Sequence, residues 1–479
     1  MPDLDHIINV KNARPIWKKL RSSVVPVVND DIYSDIDARI KMICDELKNN
    51  SYIPSIGHGY LGYCKQSGCT RFVPILSAED MTVYYLLVLS LQDYLVEDLK
   101  GVYGAWRSVP KKAVKEGMIS EIDLETEDLD AEIEIVDPYY SDTLSKKAWF
   151  KDWSQFNDLL NSTCKDKSVG NYVLTSDIAN FYDTIDISRL CNKIRSEVKG
   201  DHDIVSLLNH FLNFWDRRVK GYDASTKGIP QEIISDASRM LANFYLREFD
   251  KSFIDYCDNN NIVFIRWADD FVLFGHSPKK LELALHIASR KLLSIGLNLS
   301  AAKTRLFSRS EFRDYRALDL LEAIRKKDKT KFLKELRRFD KTLETKGGRI
   351  DTVVKASLNM LSNTPLSATL YSRNFLSEKT KNYEILSSLN EGQLFKKYNI
   401  SGSHLSEIRA DVERILSKPY AAPRATYISF LMKYHKQLIK FGVTTKQTIA
   451  LISRISSDNA DSDIVANICA VNAIKKIGK

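Results

Sequence analysis

Hydrophobic positions follow three successive patterns along the chain. Up to about residue 115 they recur mostly at helical spacing, and an apolar helix beginning at Met81 follows the stretch YIPSIGHGYLGYCKQSGC, which is typical of a hairpin or loop. From Asn171, short apolar strands are separated by helices, which is an α+β or α/β signature. After Phe307 the pattern is helical almost to the end, with breaks at KGG, NTP and SKPYAAP. The sequence therefore predicts an α+β protein with an all-α C-terminal domain of stacked helix pairs.

The length supports a division into several domains. The chain has 479 residues, and domains usually hold about 100–200 residues, so two to four are expected. We divide it into an N-terminal region, 1–170, a middle domain, 171–310, and a helical domain, 311–479.

The composition is that of a water-soluble globular protein. Hydrophobic residues make up 44% and charged residues 28%, which excludes a disordered chain, a collagen and a coiled-coil rod. No apolar run reaches the roughly 18 residues of a membrane span, and the N-terminus lacks a signal-peptide pattern, so we expect a cytoplasmic protein with no membrane partner. The seven cysteines contain no C-x-x-C pair, which predicts reduced, buried thiols.

Charge is unevenly distributed. The net charge is +8, but residues 311–479 hold 31 Lys and Arg against 18 Asp and Glu, whereas residues 1–310 hold 39 against 44. The segment Glu116–Asp142 holds eleven acids and no Lys or Arg, and we interpret it as an insertion or charged face rather than a catalytic cluster. A basic protein with one acidic segment is typical of a polyanion binder, although charge alone also fits a membrane surface or an acidic partner.

Three aspartates are the strongest candidates for chemistry. Asp177 ends an apolar strand in NYVLTSDIANFYDTID, where a lone aspartate is usually a helix cap or turn former. In IVFIRWADDFVLFGHS, the strands Ile262–Trp267 and Phe271–Gly275 flank the adjacent Asp269 and Asp270. Adjacent carboxylates repel each other, and a divalent cation would compensate that repulsion. Mg²⁺ is bound by one or two carboxylates plus substrate phosphates, so the pattern predicts a Mg²⁺ site, which Mn²⁺ can also fill, for phosphoryl transfer.

Two further blocks surround these strands. KGIPQEIISDASRMLANFYLREFDKSF is a turn leading into an amphipathic helix whose apolar positions are most simply core. After the strand pair, a helix over Leu281–Ile295 leads to GLNLSAAKTRLF, a predicted strand that contains Lys303.

The order of these blocks resembles the palm of a reverse transcriptase. SDIANFYD is similar to motif A of that family, GIPQEIISDASRMLAN to motif B, RWADDFVLF to motif C and GLNLSAAKT to motif D. Upstream, TRFVPILSAEDMTVYYLL resembles the fingers block and GVYGAWR the segment after it. The resemblance covers roughly residues 50–310 and implies a right-hand polymerase, with fingers in 1–170 and the palm in 171–310.

The resemblance also implies roles for single residues. Asp177 and Asp269 would bridge the metals, Asp270 would be the third catalytic carboxylate, and Ile178 would offer its carbonyl to the nucleotide-side metal. The bulk of Tyr182 would exclude a ribose 2′-OH, which implies dNTP substrates.

Further positions carry over to the nucleotide pocket. Arg71 would bind the triphosphate, because the forked guanidinium of arginine suits phosphate better than the ammonium of lysine does. Gln231 would line the template and incoming-base pocket, and Lys303 would approach the triphosphate as electrostatic partner or proton donor.

Three departures from the family pattern stand out. Trp267 replaces the tyrosine of the usual Tyr-Ala-Asp-Asp but keeps a bulky aromatic, which is consistent with support of the primer strand while fidelity or primer choice can differ. Glu232 follows Gln231 where glycine is usual, which adds a negative charge where nucleic acid would lie. About 170 helical residues without a Cys/His metal cluster replace an ordinary thumb. This last feature resembles bacterial abortive-infection and defence-associated reverse transcriptases, which implies antiphage immunity, homo-oligomers and DNA synthesis that is RNA-templated or untemplated and sometimes primed by a protein tyrosine.

The helical domain offers a basic face and several tyrosines. Residues 325–341 hold nine Lys or Arg against three acids, so they form either a nucleic-acid contact or a solvated amphipathic helix. With the polymerase context we expect RNA or DNA there, at Arg325, Lys326, Lys327, Lys334, Arg337 and Arg338. Tyr371, Tyr383, Tyr398, Tyr420, Tyr427 and Tyr434 are candidate priming hydroxyls, although structural tyrosines are commoner and nothing in the sequence selects one.

Three functions are consistent with these observations. The leading one is a metal-dependent DNA polymerase of phage defence. A catalytically inactive RNA-binding or assembly protein on a polymerase shell is the second, and retention of all three aspartates argues against it. An RNA-synthesising polymerase is the third, and the bulk of Tyr182 argues against it.

Overall fold

The structure, a computed structural model, describes residues 4–24, 35–55, 60–64, 70–108, 145–200, 202–216, 228–231, 236–363, 369–402, 404–457 and 464–477. The acidic segment Glu116–Asp142 and Glu232 lie outside the described residues, so the predictions about them stay predictions. Within the described ranges, no helix has both the length and the apolar character needed to cross a bilayer.

Helices account for most of the described elements. The α-helices are α1 (Val10–Val24), α2 (Ile36–Lys48), α3 (Ala78–Ser90), α4 (Gln92–Leu95), α5 (Lys146–Lys165), α6 (Phe181–Thr184), α7 (Ile187–Glu197), α8 (His202–Phe214), α9 (Asp236–Asn259), α10 (Pro278–Leu293), α11 (Arg309–Tyr315), α12 (Leu318–Arg325), α13 (Lys329–Lys346), α14 (Ile350–Asn363), α15 (Leu370–Lys379), α16 (Tyr383–Ser387), α17 (Glu391–Ser401), α18 (His404–Leu416), α19 (Ala421–Lys433), α20 (His435–Lys440), α21 (Thr445–Ser457) and α22 (Ile464–Ile477). Short 3₁₀ helices lie at Leu4–His6, Lys167–Val169 and Ala301–Lys303.

The strands form a hairpin and one mixed sheet. They are β1 (Tyr60–Cys64), β2 (Thr70–Pro74), β3 (Val102–Tyr103), β4 (Tyr172–Asp177), β5 (Val263–Trp267), β6 (Asp270–Gly275) and β7 (Arg305–Ser308). β1 and β2 pair with each other, and the five-stranded sheet has the order β3-β5-β6-β4-β7. Its strands are antiparallel except for the β3–β5 pair, which is parallel.

The central strands of the sheet are buried on both faces. Side chains alternate along β4, so Leu174 packs into the core shared with the N-terminal and palm helices, while Val173 faces the opposite side. On that opposite side, Phe156 from α5 and Phe312 from α11 cover the sheet. Because both faces of the sheet are covered, the sequences of β4 and β6 are apolar at successive positions instead of alternating between apolar and polar residues.

The predicted amphipathic helix after the Gly-Ile-Pro turn is α9. Of its predicted core positions, Ile234 lies outside the described residues, and the others are confirmed. Ala237, Met240, Leu241, Phe244, Tyr245 and Phe249 are all buried. One prediction is wrong in detail: Lys303 ends a 3₁₀ helix, and β7 begins only at Arg305, because residues 301–303 must turn the chain from its bridge beside Ile178 back into the sheet.

The β1–β2 hairpin packs on the C-terminal helices. Leu61, Val73 and Ile75 belong to the same hydrophobic core as α12–α22. The chain enters these helices directly from β7, since Ser308 caps α11 in a capping box with Glu311. The segment that resembles the fingers therefore shares a core with the helical domain.

Cys44, Cys164, Cys191, Cys257 and Cys469 are buried free thiols, as expected. Burial raises the pKa of Cys44 and Cys164 to about 11 and the pKa of Cys191 and Cys257 to about 12. These thiols are therefore weak nucleophiles at neutral pH.

Candidate active site

The sheet brings the three predicted aspartates to one edge. Asp177, the last residue of β4, is paired in register with Asp270, the first residue of β6. Asp269 lies between them in the tight turn that joins β5 to β6, and its carbonyl oxygen accepts a hydrogen bond from the amide of Ile178 at 3.1 Å. The three aspartates thus lie at the ends of β4 and β6 and in the turn before β6.

Asp177 is the most constrained of the three. Its side chain is 5% exposed, and its carboxylate accepts a hydrogen bond at 2.8 Å from Nζ of Lys303, whose side chain is 62% exposed. Burial and then the charge of Asp269 raise the pKa of Asp177 to about 7, against the opposing effect of Lys303. The pKa of Asp269 is also raised, by burial and by Asp270. The charge of Asp269 thus makes ionisation of Asp177 more costly, and the charge of Asp270 does the same for Asp269.

Lys303 stays protonated in this setting. Burial lowers its pKa, but the hydrogen bond to Asp177 and the charges of all three aspartates outweigh that effect and raise it. Lys303, which the resemblance assigns to the triphosphate, thus lies in direct contact with Asp177.

The donor set fits a hard divalent cation. Among the described residues, no group of three or more His, Cys, Asp or Glu side chains is already gathered as a metal cage. Mg²⁺ needs no such cage, since it keeps several waters and binds one or two carboxylates together with substrate phosphates. Neighbouring carboxylates whose charges raise the pKa of Asp177 and Asp269 are the environment that such a cation stabilises.

Tyr182 is held against the start of the motif B block. Its side chain is 8% exposed, and its carbonyl oxygen accepts a hydrogen bond from the amide of Ile229 at 3.1 Å. The amide of Gly228 donates to the carbonyl of Asp183 at 3.1 Å. A Cβ at Gly228 would lie 2.1 Å from the Tyr182 carbonyl oxygen, so only glycine permits this approach.

Two residues predicted to bind the nucleotide contact each other. Arg71 on β2 donates from Nε to Oε1 of Gln231 at 3.0 Å. Arg71 is exposed and Gln231 half-buried, so the other guanidinium nitrogens of Arg71 face solvent or a ligand.

Trp267 lies at the end of β5, opposite Asp270. It is half-buried, and its ring packs 5.3 Å from that of Phe156 on α5. The Trp267 ring therefore also packs against the hydrophobic core. The sequence pattern indicated only a contact with nucleic acid and gave no sign of this packing.

The predicted basic face lies on α12 and α13. Arg325 pairs with Asp158 at 2.5 Å and Lys326 with Glu322 at 2.8 Å, and Arg338 pairs with Asp314 at 2.7 Å. Lys334 and Arg337 are exposed, and Arg337 lies over the ring of Tyr371 at 5.3 Å. Lys327, also exposed, has a φ of 53° between the two helices. An open groove runs along α13 beside Lys329, Leu333, Lys334, Arg337, Arg338 and Lys341.

The candidate priming tyrosines differ in accessibility. Tyr398 and Tyr427 are fully buried and share a hydrogen-bond network with Asp411, while Tyr420 is buried and Tyr383 lies beside it. Tyr434 stacks on Phe395. Tyr371 is half-buried at the basic face and donates to Asp340 at 2.8 Å, and its pKa is raised to about 12 by burial and by that hydrogen bond.

Residues 135–334 match the family described as reverse transcriptase (RNA-dependent DNA polymerase). No curated protein matches the chain. Similar solved structures include apo telomerase from Candida tropicalis truncated from its C-terminal domain, with 13% identity, 52% of this chain and 50% of that chain covered, and a TM-score of 0.30. Another is telomerase from Candida albicans in complex with a TWJ fragment of telomeric RNA, with 11% identity, 75% and 64% covered, and a TM-score of 0.31.

The chain thus spans 50% and 64% of the length of these two telomerases. The part of the chain that matches the family contains all three aspartates and the strands that carry them. The predicted fold class is confirmed: the chain carries a reverse-transcriptase-type domain of the α+β class, followed by a helical C-terminal part.

Proposed function

We propose that this protein synthesises DNA from dNTPs by two-metal phosphoryl transfer. The observation that carries the proposal is the register of Asp177 with Asp270, with Asp269 in the turn between them. This places three acidic side chains at one sheet edge, where they raise the pKa of two of their number. Such a cluster suits cation-assisted chemistry on phosphates.

Asp177 and Asp269 would hold the cations, with Asp270 beside them and the carbonyl of Ile178 as a further oxygen donor. When bound, Mg²⁺ stabilises the charge that develops on the attacking and leaving oxygens of the phosphoryl transfer. The residues of this chain bind, orient and neutralise the substrate around that centre.

Lys303 and Arg71 serve the triphosphate. Lys303 is protonated and in contact with Asp177, so it can neutralise the triphosphate or donate a proton to the departing pyrophosphate. Arg71 has its Nε taken by Gln231, which leaves its Nη atoms for bidentate contact with phosphate oxygens. Gln231, which we assign to the incoming-base pocket, orients the guanidinium of Arg71 through this hydrogen bond.

Tyr182 sets the sugar preference. Its backbone is fixed to the Gly228–Ile229 turn, and its ring is held by burial, with the residue 8% exposed and the ring centroid 5.6 Å from that of Phe181. A ring held in this way excludes a ribose 2′-OH by volume. Deoxynucleotides are therefore the preferred substrates.

Nucleic acid would lie along the basic face of α13. Lys334 and Arg337 are exposed there, whereas Arg325, Lys326 and Arg338 are partly neutralised by acids. Lysines and arginines on such a face bind phosphates with a strong salt dependence. We assign the RNA template or DNA product to this groove.

The test is incorporation of labelled dNTPs by the purified protein with Mg²⁺ or Mn²⁺. Asp269→Asn with Asp270→Asn should abolish incorporation while circular dichroism and melting temperature stay close to wild type. The matched control, Asp255→Asn with Asp258→Asn, removes two exposed acids from α9 and should leave incorporation intact. Incorporation that survives the first double variant would refute the proposal.

Two alternatives make different predictions. A catalytically inactive RNA-binding shell predicts no incorporation by wild type but retained RNA binding. An RNA polymerase predicts that wild type prefers rNTPs, whereas our proposal predicts that rNTPs are accepted only after Tyr182→Ala.

The biological setting is proposed on the resemblance alone. We propose a cytoplasmic homo-oligomer that acts in bacterial phage defence, on an RNA template or without one, with a tyrosine as a candidate primer. Phage plating on cells with wild-type and Asp269→Asn chains tests the defence role, and light scattering tests the oligomer. Sequencing of the nucleic acid that co-purifies, before and after protease treatment, tests template and priming.

A further inference from the structure

The turn that carries Asp269 has an unusual backbone and several supports. Ala268 adopts a left-handed φ of 51°, which residues other than glycine seldom hold without outside support. Its amide donates to the carbonyl of Tyr103 at 3.1 Å, and the carbonyl of Asp269 accepts from Ile178 at 3.1 Å. The carbonyl of Ala268 accepts from a side chain, the Nη1 of Arg266.

Arg266 is itself rigidly held. It lies on β5 with 0% of its surface exposed, and its amide donates to the carbonyl of Gly101 at 2.8 Å. Its Nε and Nη2 donate to the two carboxylate oxygens of Asp250 on α9 at 2.8 and 2.5 Å, and Asp250 is 1% exposed. Because Asp250 takes one edge of the guanidinium fork, the remaining nitrogen is fixed toward the turn.

Stability alone is a weak reason for such a pair. A buried ion pair is often no better for stability than apolar residues of the same volume, because both charges must lose their water. An apolar pair could not donate a hydrogen bond to the Ala268 carbonyl, as Arg266 does.

We infer that Arg266 and Asp250 are positioning residues that hold the Ala268–Asp269 turn, and with it the Asp269 carboxylate, in its catalytic orientation. This inference rests on the proposed function. Neither residue touches the reacting atoms, and the effect passes through the peptide group that follows Ala268. Misplacement of a catalytic group by about 1 Å can cost about 10²-fold in rate.

The pair should affect turnover rather than nucleotide binding. Of the residues assigned to the nucleotide, Arg71 and Gln231 hydrogen-bond to each other and Lys303 to Asp177, whereas the side chains of Arg266 and Asp250 bond to each other and to the turn. Loss of the pair should therefore lower kcat and leave KM for dNTPs nearly unchanged.

The main variant is the double change Arg266→Met with Asp250→Leu. It removes both charges together and so avoids leaving one buried charge unpaired. The control is Arg247→Met, which removes another buried arginine, from α9, whose guanidinium donates to Glu197 and to the carbonyls of Tyr94 and Leu95 rather than to the turn. If the double variant does not fold, Arg266→Lys keeps the charge beside Asp250 and removes the second donor edge.

The expected result is a fall of at least about tenfold in kcat for the double variant, with KM within about twofold, and near-wild-type values for the control. Amide hydrogen exchange on the full chain adds a readout that needs no activity: exchange at Ala268 and Ile178 should rise at least about tenfold in the double variant only. Unchanged exchange there, or faster exchange with unchanged kcat, would overturn the inference. If wild type incorporates no nucleotide, the proposed function fails, and the exchange rates alone decide whether the pair holds the turn.

Discussion

Replacement of Gly228 by alanine is the sharpest test of how motifs A and B are joined. The added Cβ would lie 2.1 Å from the carbonyl oxygen of Tyr182, 2.9 Å from that of Ile185 and 3.1 Å from the carbonyl carbon of Asp183. All three are backbone atoms, which cannot rotate aside as a side chain would. The turn must therefore separate from α6.

The cost follows from the hydrogen bonds that this separation breaks. The amides of Gly228 and Ile229 lose their acceptors on Asp183 and Tyr182, and Nε1 of Trp215 loses the Gly228 carbonyl at 2.9 Å. At about 0.5–1.5 kcal/mol for each of these three hydrogen bonds, the loss is about 1.5–4.5 kcal/mol. Because Tyr182 and Gln231 flank the turn, nucleotide selection should suffer as well.

The assay compares melting temperature and dNTP incorporation in Gly228→Ala and Gly402→Ala. Gly402 has a φ of 73° and open space at its Cβ, so alanine there carries only the left-handed backbone cost of about 1–2 kcal/mol. We expect Gly228→Ala to melt lower than Gly402→Ala and to raise KM for dNTPs, and Gly402→Ala to keep wild-type kinetics. A Gly228→Ala protein with wild-type stability and KM would refute the contact between the motifs.

Further predictions concern charge. Burial raises the pKa of Asp152 from the ordinary 3.8 to about 7. The protonated Asp152 therefore stabilises the fold fully below about pH 4, and this contribution is lost as the pH rises through 7. Between pH 4 and 8 the melting temperature of wild type should fall more than that of Asp152→Asn. Arg71→Lys keeps the charge but not the fork and should raise KM for dNTPs more than it lowers kcat. Lys303→Met should lower kcat by about 10²-fold, measured at saturating dNTP. Lys334→Gln should reduce the salt dependence of RNA binding by about one unit of slope, measured by titration at several salt concentrations.

Local pattern predicted the sheet well because its strands are short and apolar on both faces. The predicted strands 262–267 and 271–275 compare with Val263–Trp267 and Asp270–Gly275, and the predicted helix 281–295 with Pro278–Leu293. The proximity of Asp177 to Asp269 and Asp270 could be predicted because the motif order fixes which strands meet.

Contacts between distant elements could not be predicted from spacing. Arg266 lies in an apolar strand, which signals a buried partner, but nothing in the sequence identifies Asp250 on another element as that partner. The packing of the β1–β2 hairpin against the C-terminal helices has no local signal either, since Leu61 and Val73 look like ordinary strand residues. The dependence of Tyr182 on Gly228 likewise appears only once the chain has folded.

The central claim is that the aspartates at one edge of the sheet form a DNA-synthesising centre. The most direct measurement is incorporation of labelled dNTPs with Mg²⁺ by wild type and by the Asp269→Asn, Asp270→Asn double variant at equal folded concentration. The account predicts incorporation by wild type and none by the double variant. Equal incorporation by both proteins, or none by a folded wild type with its own co-purified nucleic acid, would contradict it.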